Sequence, residues 1–185
     1  AHGATGSATG VGAVALPGLN LGASFTDAPG GTANWTFSGG ANYNDANGSV
    51  PITIAKADAT IAVSGYTGIY DAAAHGATGS ATGVGGVALT GLNLGATFTN
   101  VPGGTANWSF TGGTNYHNAT GSVAIVINKA TATVVVTPYT VEYDAQPHSA
   151  TVTSITGVNG ESGATVGAVT LNSTHTNVGT YADSW

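Results

Sequence analysis

The stretch GGTANWSFTGGTNYHNATGSVAIVIN, residues 103–128, decides the fold class. Ala106, Trp108 and Phe110 alternate with Thr105, Asn107, Ser109 and Thr111, and Val123, Ile125 and Ile127 form a second alternating set. Alternation over four to eight residues describes a half-buried strand, one face to a core and one to water. Between the two sets, Gly112-Gly113 and Asn115 supply turn chemistry. Two strands joined by a glycine-rich turn result.

A close version of this string stands 73 residues earlier, at 30–55, and the offset carries Trp35 to Trp108, Tyr43 to Tyr116 and Lys56 to Lys129. Residues 1–57 and 74–130 are identical at roughly three-quarters of positions, a repeat by any criterion. A third version begins with TVEYDAQPHSATV at Thr140, matching TGIYDAAAHGATG at Thr67. Later, NVGTYADSW at Asn177–Trp185 keeps the tryptophan spacing of NVPGGTANW at Asn100–Trp108. The layout is a first copy over 1–57 lacking its first strands, a complete second copy over 58–130, and a third over 131–185 lacking its last strands. Neither end falls at a copy boundary, so the chain reads as a window on a longer array.

Leu92, Leu94, Ala96 and Phe98 alternate with polar or small residues, as do Tyr139, Val141 and Tyr143. No stretch of ten or more residues carries a helical period. Within these strands the first two copies differ at Ser24/Thr97, Thr36/Ser109, Ser38/Thr111, Pro51/Ala124, Thr53/Val126 and Ala55/Asn128. The alternation places every one outward, where substitution usually shifts stability by less than about 0.5 kcal/mol. Pro51 lacks a ladder donor, which puts its strand at an edge. About 73 residues with some six short strands favour a small, thin-cored two-sheet sandwich of immunoglobulin-like character. Such units are marginal without neighbours. A β-grasp-like sheet is the alternative, and it needs a helix that the pattern lacks.

Composition limits function. Glycine numbers 30 of 185 residues and charged residues only 5%, with two Lys+Arg and a net charge of −6. Without a cationic footprint, a nucleic-acid partner is excluded. No apolar run reaches the ~20 residues of a membrane-spanning helix. Zero cysteines remove disulfides, thiolates and cysteine-based zinc sites. Gly160-Glu161-Ser162-Gly163-Ala164 misses the nucleophile-elbow pattern at its last position, and no phosphate loop appears. The expectation is no catalysis, no cofactor and no metal.

Several residues invite a chemical reading beside a structural one. His2, His75 and His148 share one repeat position, and Asp71 and Asp144 precede the latter two by four residues. One histidine per copy argues for a turn contact over a shared metal. His117 and His175 read as exposed. Trp35, Trp108 and Trp185 suit sugar stacking if exposed, but alternation turns them inward. Tyr43 and Tyr116, after Gly-Gly, are the better ligand-loop candidates, though a corner tyrosine often bonds backbone instead. Lys56 and Lys129 continue the inward parity of Ile54 and Ile127, so each is a candidate for an isopeptide bond to Asp71 or Asp144. The plainer reading is a strand-end lysine with its head in water.

The strings YDAAAHGATGSATGV (70–84), LNLGATFTNVPGGTANWSFTGGTNY (92–116) and SVAIVINKATATVVV (122–136) resemble the MBG-type, immunoglobulin-like tandem repeats of bacterial proteins. The resemblance covers essentially the whole chain. It implies a secreted or surface-anchored protein in which the repeats serve as stalk or adhesive spacer, and it brings no catalytic residues. The third copy departs from it with GVNGESGATVGAV at 157–169. Expected partners are neighbouring repeats of the same chain, with other copies in a filament and glycans as alternatives.

Overall fold

The computed structural model describes residues 1–184; Trp185, one of the three expected core tryptophans, lies outside the described residues. The first copy forms β1 (His2–Gly3), β2 (Ala8–Thr9), β3 (Ala15–Leu16), β4 (Leu19–Asn20), β5 (Ser24–Phe25), β6 (Gly30–Phe37) and β7 (Ala46–Thr53). The second forms β8 (Thr60–Ser64), β9 (Tyr66–Ile69), β10 (Thr78–Thr82), β11 (Leu92–Asn93), β12 (Gly103–Phe110) and β13 (Ala119–Asn128). The third contributes β14 (Thr133–Thr137) and β15 (Thr151–Thr156). Three short 3-10 turns are the only helical segments among the described residues. The protein is all-β, and no described helix is long and apolar enough to cross a membrane.

The alternation and the turn chemistry both materialise in the long hairpins. β6 pairs antiparallel with β7 from Gly30↔Thr53 to Phe37↔Ala46, and β4 flanks β6. The matching sheet of the second copy runs β11-β12-β13-β9. There β9 adds a parallel neighbour to β13, Ile125↔Tyr66 through Asn128↔Ile69. β6 and β12 each begin on a glycine that no other residue replaces freely. Gly30 and Gly103 have φ of +89° and +88°, and a Cβ on either would fall 2.0 Å from the carbonyl oxygen of Ile52 or Ile125.

The chain divides into two compact units. The first gathers Ala1–Val63, Thr78–Leu94 and Asn107–Ser122; the second gathers Ser64–Ala77, Gly95–Ala106 and the chain from Val123 onward. Ala28, Ala33, Ala81 and Phe110 are buried in the first unit, and Ala106, Ile125, Ile127 and Ser173 in the second. That is little core.

Parity is obeyed closely within the strands. The six substitution pairs expected within strands are exposed in both copies. Three expectations need correction. Tyr139–Tyr143 forms no strand, and Val141 and Tyr143 are exposed. The Leu92–Phe98 run shortens to Leu92–Asn93, with Ala96 exposed and Phe98 held by an isolated bridge to His75. Lys56 and Lys129 are exposed rather than inward, because both strands end before the lysine.

Candidate functional site

The tyrosine loops come first. In the second copy, Gly112 N–H donates to the Asn118 side-chain oxygen at 2.9 Å, and Tyr116 N–H returns to the Gly112 carbonyl at 3.1 Å. The loop of the first copy closes the same way, through Asp45 at 2.8 Å and Tyr43 N–H to the Gly39 carbonyl. Each phenol then reaches 32 residues back: the Tyr116 hydroxyl accepts from Val84 N–H at 3.0 Å, and that of Tyr43 from Val11 N–H at 3.3 Å. The approach demands Gly83 and Gly10, where a Cβ would meet the phenol oxygen at 2.2 Å. These hydroxyls are occupied in fixing backbone, as corner tyrosines do.

The loop of the second copy also docks on the first. Asn115 is the centre of the contact. Its side-chain amide donates to Asp27 Oδ1 at 2.8 Å, and its side-chain oxygen accepts from Ala28 N–H at 2.8 Å. Its backbone carbonyl accepts from Ala57 N–H at 2.9 Å, and His117 N–H donates to the Ala57 carbonyl at 3.0 Å. Lys56 Nζ donates to the Gly113 carbonyl at 2.6 Å. The Lys56 head is therefore matched by a peptide carbonyl, not by a carboxylate. Lys129 lines an open groove of about 410 Å³ with Tyr70 and Glu161. Neither lysine is placed with Asp71 or Asp144 by a hydrogen bond or an ion pair. Both keep the strand-end arrangement.

Asp71 and His75 do meet, at 2.8 Å from Oδ1 to Nε2, and the His75 ring stacks on Tyr66 with centroids 3.9 Å apart. Asp144 and His148 repeat the contact at 2.9 Å, beside Tyr139. The hydrogen bond from histidine, followed by the N–H of Ala73 or Gln146, holds each carboxyl below its ordinary value. His2 takes the equivalent backbone place, paired with Phe25. No group of three or more acids and histidines suited to a metal ion occurs among the described residues.

His175 is the residue that sequence reading missed. It is half-buried, its backbone pairs with His148, its ring stacks on Tyr181 at 3.7 Å, and its Nε2 lies 2.9 Å from Asp183. Aligned on the tryptophans, His175, Tyr181 and Asp183 take the places of Phe98, Gly104 and Ala106. In the second copy the Phe98 ring lies over Gly104, where a Cβ would sit 2.3 Å from the ring. The third copy replaces that ring-on-glycine packing by a stacked, charge-bearing trio. The signal was available in the 77-residue offset of NVGTYADSW from NVPGGTANW. The trio lines a groove of about 650 Å³ together with Tyr139, Val141 and Tyr143.

The insertion GVNGESGATVGAV has its own anchor. Tyr70 donates to Glu161 Oε1 at 3.0 Å, and the Glu161 carboxylate also takes Asn159 N–H at 2.8 Å. Backbone N–H donors, its own first and then that of Asn159, lower the Glu161 pKa, with Tyr70 adding to them. Trp35 and Trp108 are half-buried, each lying against a glycine, Gly48 or Gly121, on the neighbouring strand. The chain matches no family model, no curated protein and no solved structure.

Proposed function

We propose that this chain is a non-enzymatic structural repeat region of a long extracellular surface protein, acting as stalk, spacer or adhesive array. The Asn115 junction carries the reading. One side chain and the backbone around it join the turn of one copy to two segments of the copy before, a link that resists bending without a ligand. The resemblance to MBG-type repeats and a surface dominated by Thr, Ser and Gly support the extracellular setting.

A glycan-binding module is the second reading, and Tyr116 with its Gly-rich loop is its natural platform. The engaged hydroxyl and the docking of Asn115 favour the structural role over it. Pulling the chain from its two ends in a force spectrometer tests the proposal. A load-bearing repeat releases discrete lengths of about 250 Å, the contour of one copy. Extension with no resolved force events overturns the structural reading, and saturable binding on a glycan array supports the module.

A further inference from the structure

Asparagine followed by glycine occurs twice in the chain, at Asn47-Gly48 and at Asn159-Gly160. The pair is chemically reactive. Once base removes the glycine N–H proton, that nitrogen can attack the side-chain amide carbon of the asparagine, and glycine brings no side chain to obstruct the approach. The fold treats the two pairs differently.

Asn47-Gly48 lies inside β7. Asn47 stands opposite Thr36 and Gly48 opposite Trp35, in the middle of the ladder with β6. The indole covers the glycine closely: a Cβ on Gly48 would fall 2.7 Å from the Trp35 ring. Extended backbone carries the glycine nitrogen away from the asparagine side chain, and turning it back breaks the ladder.

Asn159-Gly160 lies in the turn that follows β15, inside the insertion of the third copy. Gly157 N–H closes this turn on the Glu161 carbonyl at 2.8 Å. Asn159 and Gly160 are both exposed, and a Cβ built on Gly160 would meet no atom within 4 Å. The Gly160 N–H makes a long contact, 3.4 Å, to the Gly157 carbonyl, where ordinary bonds of this kind measure about 2.9–3.0 Å. Its proton is open to base and a five-membered ring has room to form. Bringing the Gly160 nitrogen onto the side-chain carbon rearranges a surface turn. At Asn47 the same rotation opens a strand.

We propose that Asn159 is a self-modification site, at which the chain converts its own side-chain amide into a carboxylate beside Glu161. The Gly160 nitrogen bonds to the Asn159 side-chain carbon, the bond from that carbon to the side-chain nitrogen breaks, and the amide leaves as ammonia with the proton that Gly160 gave up. Water then opens the cyclic imide at either carbonyl. One opening gives aspartate, the other isoaspartate, with the main chain routed through the side chain. The net change exchanges ammonia for water and needs no oxidant or cofactor.

The product acts on a contact already in place. The Glu161 carboxylate accepts the Asn159 N–H at 2.8 Å and the Tyr70 hydroxyl at 3.0 Å, which ties the insertion to the residue after β9. A second carboxylate at 159 disfavours the charged form of Glu161 and weakens its hold on Tyr70.

The full chain, incubated at mildly alkaline pH both native and in concentrated urea, tests this by peptide mapping with mass detection over time. In the native chain Asn159 is expected to react at least about tenfold faster than Asn47, the factor that an opening cost of about 1.4 kcal/mol sets. In urea the two are expected to react at similar rates. A native Asn159 that stays intact while the unfolded chain reacts, or a native Asn47 that keeps pace with it, overturns the proposal. In Asn159→Asp, carboxyl carbon shifts are expected to show Glu161 titrating at higher pH than in the wild type. A Glu161 midpoint that does not move overturns the effect on the anchor.

Discussion

Val84 donates its backbone N–H to the Tyr116 hydroxyl across 3.0 Å, and the side of that phenol closes against Gly83. The pair ties a 3-10 turn to the tip of the β12–β13 hairpin. Removing the hydroxyl in Tyr116→Phe leaves the Val84 amide without this partner and is expected to cost about 1 kcal/mol. Gly83→Ala places a methyl on the phenol oxygen and is expected to cost more, about 1–3 kcal/mol. Urea unfolding checks both, and an unchanged midpoint in the two variants excludes the corner role.

Ile125 and Ile52 are one residue type at one repeat position, so they isolate burial from chemistry. Ile125 is 1% exposed under β9, whereas Ile52 is half-buried beside an open edge. Ile125→Ala is expected to cost about 2–5 kcal/mol, and Ile52→Ala distinctly less. Equal losses in chemical denaturation contradict the burial difference.

The fold class was legible because strand parity leaves its record in composition. Val123, Ile125 and Ile127 face in, while Pro51, Thr53 and Ala55 face out, and within the strands the two copies diverge on the outward set. Parity says which face a residue occupies, not which strand lies beside it. Hence the parallel β9–β13 pair was invisible, and Tyr139–Tyr143 alternated convincingly without forming a strand. Lys56 and Lys129 kept parity past the ends of their strands, three residues and one residue respectively, where it has no meaning. At the candidate site, the Asp71–His75 spacing pointed to a real contact. Asn115 gave no signal: its three partners lie up to 88 residues away, and a turn asparagine needs no further explanation in sequence.

Asp71 and Asp144 make a pH prediction. In each, hydrogen bonding to the charged form by the histidine and then by a backbone N–H lowers the folded pKa below the unfolded value of about 3.9. Their stabilising contribution is complete above that unfolded value and disappears as pH falls through the lower folded one. Carboxyl carbon shifts followed by NMR are expected to titrate below the ordinary aspartate midpoint, and His75→Phe is expected to move Asp71 back up. A wild-type Asp71 that titrates at or above the ordinary midpoint rules the contact out.

The docking of successive copies through Asn115 is most directly tested at the amides it protects. Ala28 N–H donates to the Asn115 side chain and Ala57 N–H to its backbone carbonyl, although both alanines belong to the first copy. Hydrogen exchange by NMR is expected to find both amides slow in the wild type. In Asn115→Ala, Ala28 is expected to exchange much faster while the β6–β7 amides remain protected. Fast exchange at Ala28 and Ala57 in the wild type, or protection at Ala28 that survives Asn115→Ala, contradicts a junction built on this residue.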